Sequence, residues 1–386
     1  MSTLVEGLFN GFSIGSVLLI AALGLAIVFG LMGVINLAHG ELMMLGAYAT
    51  FVVQNIFKPL GEPWFSLYII VAIPVAFIVS ATVGLILERG AIRFLYGRPL
   101  ETLLATWGIS LILRQFVRSV DWLLFISIGV FCLLFFGGMK LVKRRNDWLR
   151  IKNKVIALLL FLSGGIAIAF NSLLSSNSTL TKPWFSARNV DVTAPSWLRG
   201  GTDALGFQIP YARLFIIVLT IICLIGVYWF LQRSTWGLKI RAVTQNRTMS
   251  SCLGIPTDKV DALTFALGTG MAGVAGCAVS LLGSVGPNTG QNYIVDTFMV
   301  VVVGGVGNLL GTVLAAMGIG VLNYLIGSGT LALMLTNINA PQGALDLAFF
   351  FANSSMAKVM VFALIIVFLQ IKPAGLFPQK GRTAEL

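Results

Sequence analysis

The sequence predicts an all-α protein, a polytopic transmembrane helical bundle with broken or re-entrant helices. Three observations carry that class. Of the 386 residues, 57% are hydrophobic and only 10% are charged, and the mean hydropathy is +0.93, more apolar surface than a soluble core can hide. Apolar stretches of membrane-crossing length recur along the whole chain. The basic residues gather in the polar segments between those stretches, so the net charge of +12 follows from membrane topology and not from nucleic-acid binding. Cys132, Cys223, Cys252 and Cys277 follow no metal-ligand or CxxC spacing, and no disulfide framework is expected. The first residues, MSTLVEGLFNG, lack a basic n-region, so no cleavable signal peptide is expected.

Residues 12–30 make the first span, about 28 Å long as a helix. The run LMGVINLAHG (31–40) follows directly. It is too short and apolar for an exposed loop and reads as a break or tight turn at membrane depth. The second span is 42–57, ended by Lys58 and Pro59, and the third is 67–87. After the basic Arg89, Arg93 and Arg98 comes a less apolar fourth span, 100–117, with Arg114 and Arg118 at its far end. Residues 122–136 and 155–174 flank KLVKRRNDWLRIKNK, a pattern expected of a helical hairpin with a basic tip. The polar stretch 175–210 reads as an outer loop. Span 211–231, the polar segment 232–259 and span 260–282 follow. SVGPNTGQNYIVD is expected to be an outer loop, with Asp296 capping the next helix. Residues 297–326 are interrupted by GGVGN at 304–308 and read as a re-entrant pair returning to the outer side. An outer segment (327–355) and a last span (356–371) complete a single transmembrane domain, 1–386. Within it, 120–187 reads as an inserted hairpin and the start of the outer loop.

Orientation follows from charge. With the N-terminus outside and the C-terminus in the cytoplasm, eighteen basic residues fall on the inner side and eight on the outer. The loop 232–259 is then cytoplasmic. It carries Arg233, Lys239, Arg241, Arg247 and Lys259 against Asp258. It suits a short helix on which a soluble partner could press, although an ordinary topology-setting basic loop has the same charges.

The single histidine, His39, lies in NLAHGE with Asn36 and Glu41. Ionisable groups at membrane depth are costly and usually line a path or bind something. These three are candidate path residues, or else a capping and packing cluster. Gly304, Gly305, Gly307 and Asn308 are candidates for the same path, because a broken helix offers backbone groups to small polar solutes. Close helix packing through small residues is the alternative for these glycines and for Gly268, Gly270, Gly273 and Gly276. No phosphate loop, HExxH or GxSxG occurs, and one histidine supports neither a histidine metal site nor a triad. No catalytic or metal residues are therefore expected.

Three phrases carry a family resemblance: GLAIVFGLMGVINLAHGELMMLGAY (24–48), WGLKIRAVTQNRTMSSCLGIPTDKVDALTFALGTGMAGVAG (236–276) and VVVGGVGNLLGTVLAA (301–316). They resemble the branched-chain amino acid and urea permeases of bacterial ABC importers, over nearly all of the chain outside about 120–187. ETLLATWGISLILRQ, NVDVTAPSWLRGG and SVGPNTGQNYIVDTFMVVVVGGVGN look most like the first permease subunit of the urea-type importer. The resemblance implies a multi-pass inner-membrane permease without a cofactor of its own. Its implied partners are a second homologous permease, two cytoplasmic ATPase subunits that use ATP, and a periplasmic substrate-binding protein. It also implies a coupling loop centred on Gly237, Arg241, Ala242, Asn246 and Gly254, docked on an ATPase. Urea, or a short amide, is the expected substrate. Branched-chain amino acids are the alternative, and an ATP-independent channel or ion-coupled carrier is the reading from another class, since breaks in both halves also suit a carrier. A membrane-enzyme reading has no recognisable constellation behind it.

Overall fold

The structure is a computed structural model that describes residues 2–142, 148–174, 184–185, 189–204, 207–337 and 341–377. The centre of the basic hairpin tip (143–147), the first part of the expected outer loop (175–183) and the basic tail (378–386) lie outside the described residues. The chain divides into two compact units: Met1–Leu111 with Asp191–Leu386, and Ile112–Val190. The second unit overlaps the segment read as an insertion.

The first unit opens with α1 (Ser2–Met32), α2 (His39–Phe57) and α3 (Trp64–Gly90), and α4 (Pro99–Ser119) begins in it. The second contains α5 (Trp122–Val142) and α6 (Trp148–Leu174). Helix α5 reaches Val142, longer than the short apolar run expected, because Gly137, Gly138 and Lys140 interrupt the hydropathy without interrupting the helix. The first unit resumes with an antiparallel hairpin of β1 (Gly201–Ala204) and β2 (Phe207–Pro210), Gly201 opposite Pro210, in a stretch expected to be loop. Then come α7 (Tyr211–Arg233), α8 (Thr235–Gln245), α9 (Arg247–Cys252), α10 (Thr257–Ser280), α11 (Thr289–Gly304) and α12 (Leu309–Gly327). The last three helices are α13 (Thr330–Asn337), α14 (Gln342–Phe351) and α15 (Ser354–Ile371).

Seven helices among the described residues are long and apolar enough to cross a membrane, or up to eight if the bent pair α14–α15 counts as one span. Helices α2 and α11 are not among them. The core runs along α1 and α10, whose apolar windows are both 83% buried, against 28% for α3 and 22% for α7. Leucine-rich faces gain nothing by leaving lipid, so close packing through small residues holds such helices together. Gly7, Gly11 and Gly15 on α1 meet Leu325, Val321 and Met317 on α12, an antiparallel pair. Gly268 of α10 sits against Gly24 and Val28 of α1.

The directions reveal an internal inversion. Helix α2 packs on α10, with Gly46 against Gly273 and Met43 and Ala47 against Gly276, and the two run the same way because α3 is antiparallel to each. Helix α3 runs antiparallel to both: Ser80 Oγ donates to the Leu42 carbonyl at 2.9 Å, and Gly84 meets Thr269. Helices α1, α2 and α3 thus alternate in one sense and α10, α11 and α12 in the other. Each set is a long helix, a break, a shorter helix and a long return, the inverted arrangement found in many transporters. The break that matches 33–38 is therefore 281–288, in a segment expected to be an outer loop. Residues 289–296 of that segment are helical, so Asp296 lies inside α11 and does not cap it.

Candidate functional site

The two breaks bring two helix starts together near the middle of the bundle. His39 opens α2 with its Nε2 3.0 Å from the Ala21 carbonyl oxygen. Ala21 is about 16 Å short of the end of α1, at 1.5 Å per residue. Gly40 and Gly290, in the first turns of α2 and α11, touch backbone to backbone. Asn36 Oδ1 accepts from the Ala38 N–H at 3.1 Å, so it folds the turn before α2 rather than capping the helix formally. Glu41, in the first turn of α2, accepts from Ser110 Oγ at 3.0 Å. An acidic side chain in the first turn of a helix sits at its favourable, positive end. Thr106 of α4 accepts from the Leu37 N–H at 3.2 Å. Asn36, His39 and Glu41 are all buried, and among the described residues Asn36 Nδ2 and His39 Nδ1 have no hydrogen-bond partner. Buried polar atoms are rarely left so, because each costs about 1–3 kcal/mol.

Gly304, Gly305, Gly307 and Asn308 are not part of this centre. Gly307 packs on Gly30 at the end of α1, and Gly305 on Phe377 beyond α15. The backbone that a break would expose is occupied: Leu376 N–H donates to the Val303 carbonyl at 2.8 Å. Asn308 Oδ1 accepts from Leu310 and Gly311 N–H at 3.0 and 3.3 Å and caps α12. Gly305 and Gly307, at φ +95° and +85°, supply a turn that a side chain would strain.

That turn lies beside the loop 232–259. Thr244 Oγ1 of α8 donates to the Leu31 carbonyl at 3.1 Å, and Leu31 and Leu309 pack on the cluster of Ile240, Val243 and Val260. The loop holds two short helices instead of one, and four of its five candidate residues shape its turns: Gly237 where α7 passes into α8, Ala242 and Asn246 at the elbow between α8 and α9, and Gly254 after α9. Gly237 donates to Ser234 Oγ at 2.9 Å, and a Cβ there would lie 2.5 Å from the Phe230 carbonyl oxygen. The Ala242 carbonyl accepts from Asn246 N–H at 3.1 Å, and Asn246 Oδ1 caps α9 through Met249 N–H at 2.9 Å. Gly254 turns out of α9 at φ +79°. Arg241 instead reaches back to α7, donating to Gln232 Oε1 at 2.8 Å.

Sequence reasoning missed a second set that ties α9 to α10 and to the α3–α4 connection. Arg247 Nη2 pairs with the buried Asp261 at 2.6 Å and lies over the Tyr96 ring, 5.0 Å from its centroid. Tyr96 OH donates to Glu88 at 3.1 Å. Burial pushes the Tyr96 phenol up, so it stays a donor. Arg93 pairs with Asp258 at 2.6 Å. Arg247→Ala is expected to lower stability by about 1–2 kcal/mol, because it leaves Asp261 unpaired, and Arg247→Ala/Asp261→Asn should recover part of that loss. Thermal melting of the purified protein checks this: equal melting of single and double variants would show no coupling.

An inverted pair of broken helices, a buried polar centre between them and a helical elbow at one end define a membrane permease. Family comparison is more specific: residues 7–369 match the branched-chain amino acid transport system permease component, and the chain belongs to that family. The high-affinity branched-chain amino acid transport permease LivH of Salmonella typhimurium is 23% identical over 96% of this chain and 94% of its own length. BraD of Pseudomonas aeruginosa, of the same description, is 25% identical over 82% of this chain and 84% of its own. The probable LivH of Methanocaldococcus jannaschii is 25% identical over 81% and 77%. No solved structure matches. The chain is a transport subunit and not an enzyme; in ABC systems of this family the ATPase is a separate subunit.

Proposed function

We propose that this chain is a permease subunit of an ATP-driven importer of branched-chain amino acids in a bacterial inner membrane. It works with a second homologous permease, two cytoplasmic ATPase subunits and an external substrate-binding protein, with its N-terminus outside and its C-terminus in the cytoplasm. The observation that carries the mechanism is α10, which joins the elbow to the broken-helix centre in one rigid piece. Its first turns are tied to α9 through Asp261 and Arg247, and its middle packs through Gly273 and Gly276 on α2 and α3. A push on α8 and α9 therefore displaces the element that holds α2, whose first turn carries His39 and Glu41. Asn36 Nδ2 and His39 Nδ1, without a partner among the described residues, support a reading in which a polar solute or water is met there on the path. ATP-driven closure of the ATPases would bias the path between outward-facing and inward-facing states.

The three relatives named above support amino acids as the substrate, and none supports the urea expectation. A second reading, an ATP-independent carrier, draws on the inverted broken helices themselves. Uptake of labelled leucine and labelled urea, with and without the gene and before and after ATP depletion, separates the three. Gene-dependent leucine uptake that stops on ATP depletion is the expected result. Urea uptake in its place would reverse the substrate, and uptake that survives depletion would favour the carrier.

A further inference from the structure

We propose that a cavity of about 490 Å³ between α1, α11, α12 and the start of α15 binds a zwitterionic α-amino acid, its ammonium on Asp296 and its carboxylate on Lys358. The inference rests on the amino-acid reading above. Asp296 is the single acid between Asp261 and Asp346, and Lys358 the single base between Lys259 and Lys372. Two lone charges from distant parts of an apolar sequence meet at 3.1 Å, with the Asp296 side chain only 7% exposed. Charges inside an apolar helical bundle are costly and mark candidate functional sites when they face a cavity. Both line this one.

The chemistry around the pair fits one ligand class. Acid and base together are neutral, so a zwitterion adds two matched contacts, whereas a cation or an anion alone would meet one like charge. Lys358 Nζ also donates to the Asn292 carbonyl at 3.3 Å. Tyr324 OH accepts from Asn10 Nδ2 at 2.8 Å, which leaves the phenol proton to donate to a ligand carboxylate. Arg213 bonds to Asn10 Oδ1 behind it, adding positive potential on that side. Ile14 and Leu18 give the cavity an apolar wall for a branched side chain. Its volume lies within the range of about 300–1,000 Å³ usual for small-molecule sites. Helix α11 meets Gly40 at its first turn and lines the cavity with its next two, so the cavity adjoins the broken-helix centre.

The test uses the whole importer, purified from membranes through a tagged copy of this chain and reconstituted. Labelled leucine is the probe, measured by equilibrium binding without ATP or binding protein and by ATP-driven transport. Leucine binding should be competed by isoleucine but not by leucinamide, which lacks the carboxylate, nor by 4-methylpentanoate, which lacks the ammonium. Asp296→Asn should weaken leucine binding at least tenfold, and Tyr324→Phe, which leaves the ion pair intact, should weaken it several-fold. Competition by leucinamide equal to that by isoleucine would overturn the site, as would leucine binding and transport KM unchanged in both variants. In that outcome the permease reading stands on the wild-type transport. A complex that transports urea and not leucine would overturn both.

Discussion

Gly290→Val is expected to leave little assembled protein in the membrane, while Gly318→Val on α12 leaves the amount unchanged. A Cβ on Gly290 would strike the Gly40 carbonyl and come within 2.9 Å of the Glu41 amide nitrogen. The reciprocal contact is as tight: a Cβ on Gly40 would lie 2.8 Å from the Gly290 carbonyl carbon and 3.0 Å from Ile294 Cβ. These obstacles are mostly backbone, so no rotamer change relieves them. The two helices would have to separate at the point where both begin. Overpacking of this kind costs about 1–3 kcal/mol for extra methylenes in a repackable core, and more where backbone must move, against a total stability of about 5–15 kcal/mol. Among the described residues, a Cβ at Gly318 meets nothing within 4 Å. The measurement is the yield and melting temperature of detergent-solubilised protein. Equal values for Gly290→Val and Gly318→Val would mean that the two helix starts do not support each other.

The contrast between these glycines shows where sequence reading stops. The crossing of α1, the break after it and the starts of α2 and α12 could be read locally, because apolar length, NLAHGE and GGVGN are local signals. The break at 281–288 could not. SVGPNTGQN is as polar as a surface loop, and what places it in the bundle is the contact of Gly290 with Gly40, far away in sequence. Asp296 looked like a cap because the long apolar run begins after it, and its partner Lys358 lies in another helix. GGVGN announced a break but not its surroundings: only the fold shows that Leu376 takes the Val303 carbonyl and that Gly307 rests on Gly30. The family was legible from long phrases in α1, α2, α8–α10 and α11–α12. Those phrases encode turns, helix contacts and the elbow, which permeases for different solutes can share, and so they did not separate urea from amino acids.

Leu253→Asp is expected to leave the protein in the membrane at wild-type levels and to cut ATP-driven uptake at least tenfold. Leu253 follows α9 with 76% of its surface exposed, and Leu238 and Met249 on α8 and α9 are also bare. Exposed side chains contribute little to folding, and substitutions there usually change stability by about 0.5 kcal/mol or less. Apolar residues gathered at one polar elbow gain most from a partner that covers them. A charge at Leu253 should therefore act on docking alone. Arg241→Glu probes a different link. Arg241 ties α8 to the last turn of α7 through Gln232, and a carboxylate there cannot donate to the Gln232 carbonyl. The elbow would then stay docked but move without carrying α7. Substrate-stimulated ATPase activity of the complex separates the two steps. Leu253→Asp should lose the ATPase subunits on purification, whereas Arg241→Glu should retain them with hydrolysis that no longer responds to substrate. Normal stimulation in Leu253→Asp would show that the ATPase docks elsewhere, and normal stimulation in Arg241→Glu that α7 takes no part in carrying the signal.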